Sequence, residues 1–151
     1  MVYLVHNFTL PIPMVTWITI MCIVVLLVVI MLLIILPTLT FSIVVSENYI
    51  HIRALPLLNV KFSREEVEHI EVIDLNLTPQ LHIKWRTWGI GLPGWKVGWF
   101  KLANGANAFV AISSYRESVV IKLKDGKYVI LSPKEFNIFK STLKLLNWLR
   151  Y

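Results

Sequence analysis

The hydrophobic pattern changes character once along the chain. From Met14 to Leu36 it is continuous: twenty-three residues, MVTWITIMCIVVLLVVIMLLIIL, without a charge, a glycine or a proline. A helix of that length spans about 34 Å, against roughly 30 Å for the hydrocarbon core of a bilayer. Sixteen of the residues are Ile, Leu or Val, and together they favour insertion by about 5–10 kcal/mol. The run predicts a transmembrane helix over 14–36, with Pro11 and Pro13 before it and Pro37 at its end. Residues 1–13 are then a short extramembrane N-terminus. A cleaved signal peptide fits poorly, because no Lys or Arg precedes the run and it exceeds an ordinary h-region of about 7–15 residues. Residues 1–45 are also too few for two spans and a turn.

From Leu39 onward the pattern breaks into short alternating segments. Thr40–Val45 and Tyr49–Arg53 read as strands around Ser46-Glu47-Asn48, followed by Leu57–Phe62 and by Val67–Leu75, where one face is mixed. Ser63-Arg64-Glu65-Glu66 matches a capping box and predicts a single helical turn. Trp95–Leu102 and Ala108–Ile112 flank Asn104-Gly105, while Val119–Leu123 and Lys127–Leu131 flank Asp125-Gly126. Asn-Gly and Asp-Gly are favoured in tight turns whose residues need φ > 0, so two antiparallel hairpins are expected. Ser132 as N-cap, Pro133 and Glu135 then predict a final helix over 133–150. Its apolar stripe is Phe136, Phe139, Leu143, Leu146 and Leu149, which would plug the open end of the β structure.

Composition and charge sharpen this division. The 151 residues are 56% hydrophobic with a mean hydropathy of +0.66, and the excess lies at the N-terminal end. Every Lys, Arg, Asp and Glu comes after residue 46, and the fifteen basic residues, from Arg53 on, outnumber the nine acids. The positive-inside tendency then predicts a single-pass cell-membrane protein with its domain in the cytoplasm. Two glycosylation sequons, at Asn7 and Asn76, stand against that orientation, but such triplets are common by chance. The basic residues are scattered and match no nucleic-acid motif, so anionic lipid is the more economical partner and no nucleic acid is expected.

Catalytic signals are lacking in the sequence. Cys22 is the only cysteine, which excludes an intramolecular disulfide and a cysteine-based zinc site. His6, His51, His69 and His82 are isolated, and Glu65, Glu66, Glu68, Glu71 and Asp74 show no ligand spacing. In a strand, Glu66, Glu68 and Asp74 would share one face, with His69 and Glu71 on the other. No GxSxG, HExxH, CxxC or P-loop signature occurs. The expectation is a non-catalytic protein with no cofactor and no metal.

About seven strands and one C-terminal helix is the element order of a pleckstrin-homology-like (PH-like) barrel. The stretch Arg86 to Pro133 adds residues to that order: Arg86, the Gly89-x-Gly91-Leu92-Pro93-Gly94 loop, Gly98-Trp99-Phe100, the Asp125-Gly126 turn and Leu131-Ser132-Pro133. In these the chain resembles a family of bacterial and archaeal PH-domain proteins whose members often join membrane helices to this domain. The resemblance implies one N-terminal transmembrane α-helix plus a mostly-β PH-like barrel over 39–151, closed by the C-terminal α-helix. It implies no catalytic residues, and a scaffold alone does not name a function.

The loop also matches GxGxxG literally, but an alternating Trp95–Phe100 follows it where a dinucleotide site needs a helix, so a glycine-rich hairpin or bulge is expected. Around it Trp85, Trp88, Trp95 and Trp99 are interleaved with Lys84, Arg86, Lys96 and Lys101. Trp99 is expected in the core, and Trp88 and Trp95 at the surface. Lys84, Arg86, Trp88, Trp95 and Lys96 form the candidate contact surface, suited to a protein hot spot or a lipid headgroup region. The expected function is a membrane-anchored interaction module, an accessory or assembly subunit of a larger membrane protein complex. The alternative is a peripheral sensor of anionic lipid. The bilayer and a membrane-protein partner are the expected partners.

Overall fold

The computed structural model of the chain describes residues 12–54, 56 and 58–149. The expectations for His6, Asn7 and Pro11, the start of the third strand at Leu57 and the end of the last helix at 150 lie outside the described residues. The chain divides into two units, Met1–Ile35 and Leu36–Tyr151. The first holds most of α1 (Met14–Leu39), a helix long and apolar enough to cross a membrane. It runs three residues beyond the expected end at Leu36. Pro37 is accommodated in its last turn, and the Thr40 N–H donates to the Leu36 carbonyl at 2.9 Å.

The second unit begins with a three-stranded antiparallel sheet of β1 (Ser42–Val45), β2 (Tyr49–Ala54) and β3 (Leu58–Ser63). A 3-10 turn at Arg64–Glu66 carries the chain into a six-stranded sheet. Its strands are β4 (Val67–Ile73), β5 (Ile83–Leu92), β6 (Trp95–Leu102), β7 (Asn107–Ile112), β8 (Ser118–Leu123) and β9 (Tyr128–Ser132), and their spatial order is β4-β8-β9-β7-β6-β5. The Asn104-Gly105 and Asp125-Gly126 hairpins form as expected, as β6–β7 and β8–β9. The link from β7 to β8 crosses over, so that β9 pairs with β7 in parallel. Among the described residues the two sheets are not closed into one barrel by strand pairing. The mostly-β, PH-like element order and the C-terminal helix are as expected.

The core explains this arrangement. Ile50, Ile52 and Phe62 of the small sheet meet Val97, Phe109, Ile121 and Leu131 of the large one, together with Phe139 and Leu143. The opposite face of the large sheet, with Val110, Val120 and Ile130, is covered by Leu75 and Leu81 from the segment that links β4 to β5. Strands β7, β8 and β9 are thus buried on both faces, which is why they read as nearly unbroken apolar runs. β5 lies at the sheet's edge.

Two local readings change. The mixed face of β4 comes from a bulge: Val67 pairs with Leu123 and His69 with Lys122, leaving Glu68 as the extra residue. After it, Ile70 and Val72 return to the face of Val67, and the Glu68 carboxylate accepts from Lys122 Nζ at 2.7 Å. Glu66 belongs to the preceding turn and Asp74 caps the next one, so the expected shared acidic face does not form. The expected capping box of Ser63 and Glu66 forms, and Glu66 Oε2 accepts from the Ser63 N–H at 2.6 Å and from Ser63 Oγ at 2.9 Å. The Ser63 N–H and then its hydroxyl hold this carboxyl below the usual range.

The last helix, α2 (Phe136–Leu145), starts three residues later than expected. Ser132 is the final residue of β9, and its hydroxyl donates to the Glu117 carbonyl at 2.6 Å, so it serves the sheet and cannot cap the helix. The predicted stripe does face the core: Phe139 and Leu143 are buried, and Phe136, Leu146 and Leu149 pack beside them. A Schellman motif ends α2, with the Trp148 N–H donating to Leu143 and the Asn147 N–H to Lys144 around Asn147 at φ 57°. Trp148 is buried and donates its indole N–H to the Ser46 carbonyl at 2.7 Å. Arg64 stacks on that indole at 5.1 Å and donates to the carbonyls of Leu146 and Asn147, tying the helix end to the junction of the sheets.

Candidate functional site

The candidate residues all lie on the β5–β6 hairpin, which closes through Pro93-Gly94. The GxGxxG match is therefore a hairpin, as expected. Strict alternation along β5 would send Trp85 and Trp88 to opposite faces. Two bulges interrupt β5, and the second, which falls between the two indoles, prevents this. Ile83 pairs with Leu102 and Trp85 with Lys101, leaving Lys84 as one extra residue; Arg86 pairs with Phe100 and Trp88 with Trp99, leaving Thr87 as another. Each bulge shifts the phase by one residue. Trp85 and Trp88 then share the face of Trp99, and Arg86 shares the opposite face with Phe100. The Thr87 hydroxyl donates to the Trp99 carbonyl at 3.0 Å and fastens the second bulge.

Beyond the bulges the two strands approach closely. Gly89 and Gly98 are directly paired, with φ of 120° and 145°. A Cβ on Gly98 would lie 2.6 Å from the Gly89 Cα and collide with the Trp88 carbonyl oxygen. Glycine is required at this crossing because two backbones fill the space a side chain would occupy.

The hairpin consequently has two unlike faces. On one, Trp85 and Trp88 are 60% and 56% exposed and Leu92 is 47% exposed, a grouping of large apolar side chains that solvent does not favour. Trp99 packs edge-on against Phe109 at 5.5 Å and joins the core, as expected. Trp95 also packs against the core and is half-buried. Its expected exposure is corrected: Trp95 pairs with Leu92 at the start of β6 and faces the same core as Val97. Toward the other face Lys84, Arg86 and Lys96 line a shallow cavity of about 290 Å³ with Gly91 and Phe100, and Trp85 borders it from the strand edge. The Arg86 guanidinium passes 3.9 Å from where a Gly91 Cβ would be, and Lys96 Nζ lies 5.1 Å from the centre of the Tyr115 ring. No carboxylate lines this cavity, so its charge is uncompensated locally and suits an anionic group.

Of the five candidates, the structure brings Lys84, Arg86 and Lys96 together, puts Trp88 on the opposite face and packs the half-buried Trp95 against the core. Trp85, absent from that set, is the more exposed of the two surface indoles. No local sequence signal separates it from Trp95, since its orientation depends on a bulge registered against β6. Among the described residues no group of three His, Cys, Asp or Glu side chains could hold a metal ion.

A family model described as "Bacterial PH domain" matches residues 41–147, well over half of the chain. No curated protein and no solved structure matches it significantly.

Proposed function

This chain belongs to the bacterial PH-domain family, and from that premise we propose that it is a membrane-anchored, non-catalytic interaction module serving a larger membrane protein complex as an accessory or assembly subunit. The observation that carries the reading is the β5–β6 hairpin, with two largely exposed tryptophans on one face of an edge strand. Exposed Trp beside Arg is the composition of protein hot spots. Helix α1 supplies the anchor, and the position of all fifteen Lys and Arg residues after it supports a cytoplasmic domain.

Contact through side chains is favoured over addition of a strand to β5. The two bulges and the charges of Lys84 and Arg86 are features that discourage edge pairing. A second reading, binding of anionic lipid headgroups, is supported by the three cations around the carboxylate-free cavity.

The deciding experiment is purification of the full chain in mild detergent, with mass spectrometry of what co-purifies. The accessory role predicts a membrane protein in stoichiometric amount, lost from a folded Trp85→Ala/Trp88→Ala variant. Recovery of the chain with lipid alone, released by salt and by Lys84→Gln/Arg86→Gln, would replace that role with the lipid reading.

A further inference from the structure

At the strand ends opposite the Asn104-Gly105 turn, the chain leaves a second cavity of about 320 Å³, lined by Phe41, Trp95, Val97, Ile112, Pro133 and Lys134 among others. It exists because β6 begins, and β7 and β9 end, side by side at Trp95, Ile112 and Ser132. Helix α2 starts only at Phe136, so the mouth stays open beside Trp95, Pro133 and Lys134, while Val97, Ala111 and Ser132 are buried at its floor. Phe41, just before β1, forms a wall.

The lining is selective. Ser113 and Ser132 also border it, but the Ser113 hydroxyl already donates to the Ser132 carbonyl at 2.8 Å and the Ser132 hydroxyl to Glu117 at 2.6 Å. A sugar or nucleotide would find few partners there, whereas a hydrocarbon meets aromatic and aliphatic walls. Among the described residues Lys134 is the one charged side chain on the lining, and it is exposed. A methylene takes about the space of a water molecule, roughly 30 Å³, so the cavity holds on the order of ten. Supply is local as well: Phe41 lies two residues after Leu39, the last residue of α1, so its Cα is within roughly 7 Å of the helix end along the chain.

We propose that this cavity binds a fatty acid, with its hydrocarbon among Phe41, Trp95, Val97 and Ala111 and its carboxylate at Lys134. The inference rests on the reading of α1 as a membrane span, which anchors the chain at a source of fatty acid.

The test is photolabelling of the full chain in phosphatidylcholine nanodiscs with a diazirine-bearing decanoic acid, and mapping of the adducts. Adducts should concentrate in segments 95–97, 111–113 and 132–134, and unlabelled decanoate should compete them away. Lys134→Gln should lower cavity labelling about two- to fivefold, the range set by loss of a surface ion pair, and Lys134→Arg should restore it. Adducts confined to α1, or equal labelling by a phosphatidylcholine carrying the same diazirine, would overturn the assignment. Alkaline extraction of the protein from membranes tests the span separately: release would refute the anchor, and cavity labelling in detergent would still decide the site.

Discussion

Replacing Gly98 by alanine tests the account of the hairpin most directly. Gly98 has φ 145°, a region nearly closed to residues with a Cβ, which costs about 1–3 kcal/mol. The new methyl would also meet the Trp88 carbonyl and, at 2.6 Å, the Gly89 Cα. Those atoms are backbone and cannot swing aside as a side chain can, so the strands must separate at a further cost of about 1–3 kcal/mol. The sum, about 2–6 kcal/mol, is a large part of the roughly 5–15 kcal/mol available to a domain. Gly94→Ala is the control. Gly94 also has positive φ, 75°, but nothing lies within 4 Å of its Cβ position, leaving only the conformational cost of about 1–2 kcal/mol. Urea denaturation of the two variants, followed by tryptophan fluorescence, gives the difference. Gly89→Ala should behave like Gly98→Ala, and the double variant should cost less than the two singles added, since both open the same crossing. Equal midpoints for Gly98→Ala and Gly94→Ala would refute the close approach.

Trp148→Phe keeps the ring but leaves the Ser46 carbonyl without its indole donor, and should lower unfolding free energy by about 1–3 kcal/mol in the same titration. Trp99→Ala, which removes a ring packed on Phe109, should cost about 3–5 kcal/mol, while Trp88→Ala should stay within about 1 kcal/mol of the parent. The lowered pKa of Glu66 means that its contribution is present above the ordinary carboxylate value and is lost as pH falls through the folded value. Stability of Glu66→Gln should therefore fall below the parent at neutral pH and converge with it in acid. Lys122, raised by Glu68, carries the opposite sign: its contribution is lost as pH rises through its folded value, and Lys122→Met should approach the parent at high pH.

Much of the domain was legible because its signals are local. The Asn104-Gly105 and Asp125-Gly126 turns fix their hairpins through the φ values those pairs allow, and the stripe from Phe136 to Leu149 places one face of α2. What could not be read depends on partners distant in the chain. Ser132 has the identity of an N-cap, but its hydroxyl is engaged by Glu117 across a strand crossing. Trp148 lies off the helical stripe and is turned inward by the reversal at Asn147. β5 was not recognised as a strand because bulges at Lys84 and Thr87 and its glycines erase the period-two pattern. For the same reason the indoles expected at the surface, Trp88 and Trp95, differ from those the register exposes, Trp88 and Trp85.

Those bulges connect the fold to the proposed role. The large sheet has two outer strands, β4 and β5, and each is interrupted. β4 carries the Glu68 bulge with its ion pair to Lys122, and β5 carries two bulges flanked by cations. An interrupted edge presents its N–H and C=O groups out of register with an incoming strand, which disfavours open-ended pairing of sheets. On β5 the Thr87 insertion, which falls between Trp85 and Trp88, also gathers them on one face. A regular β5 would have offered a continuous edge and divided its indoles between two faces. The irregular strand does the reverse, weakening backbone pairing and concentrating apolar side-chain area. Recognition through this hairpin should therefore be sensitive to the identity of residues 85 and 88 and tolerant of changes that touch only the outer backbone edge of β5.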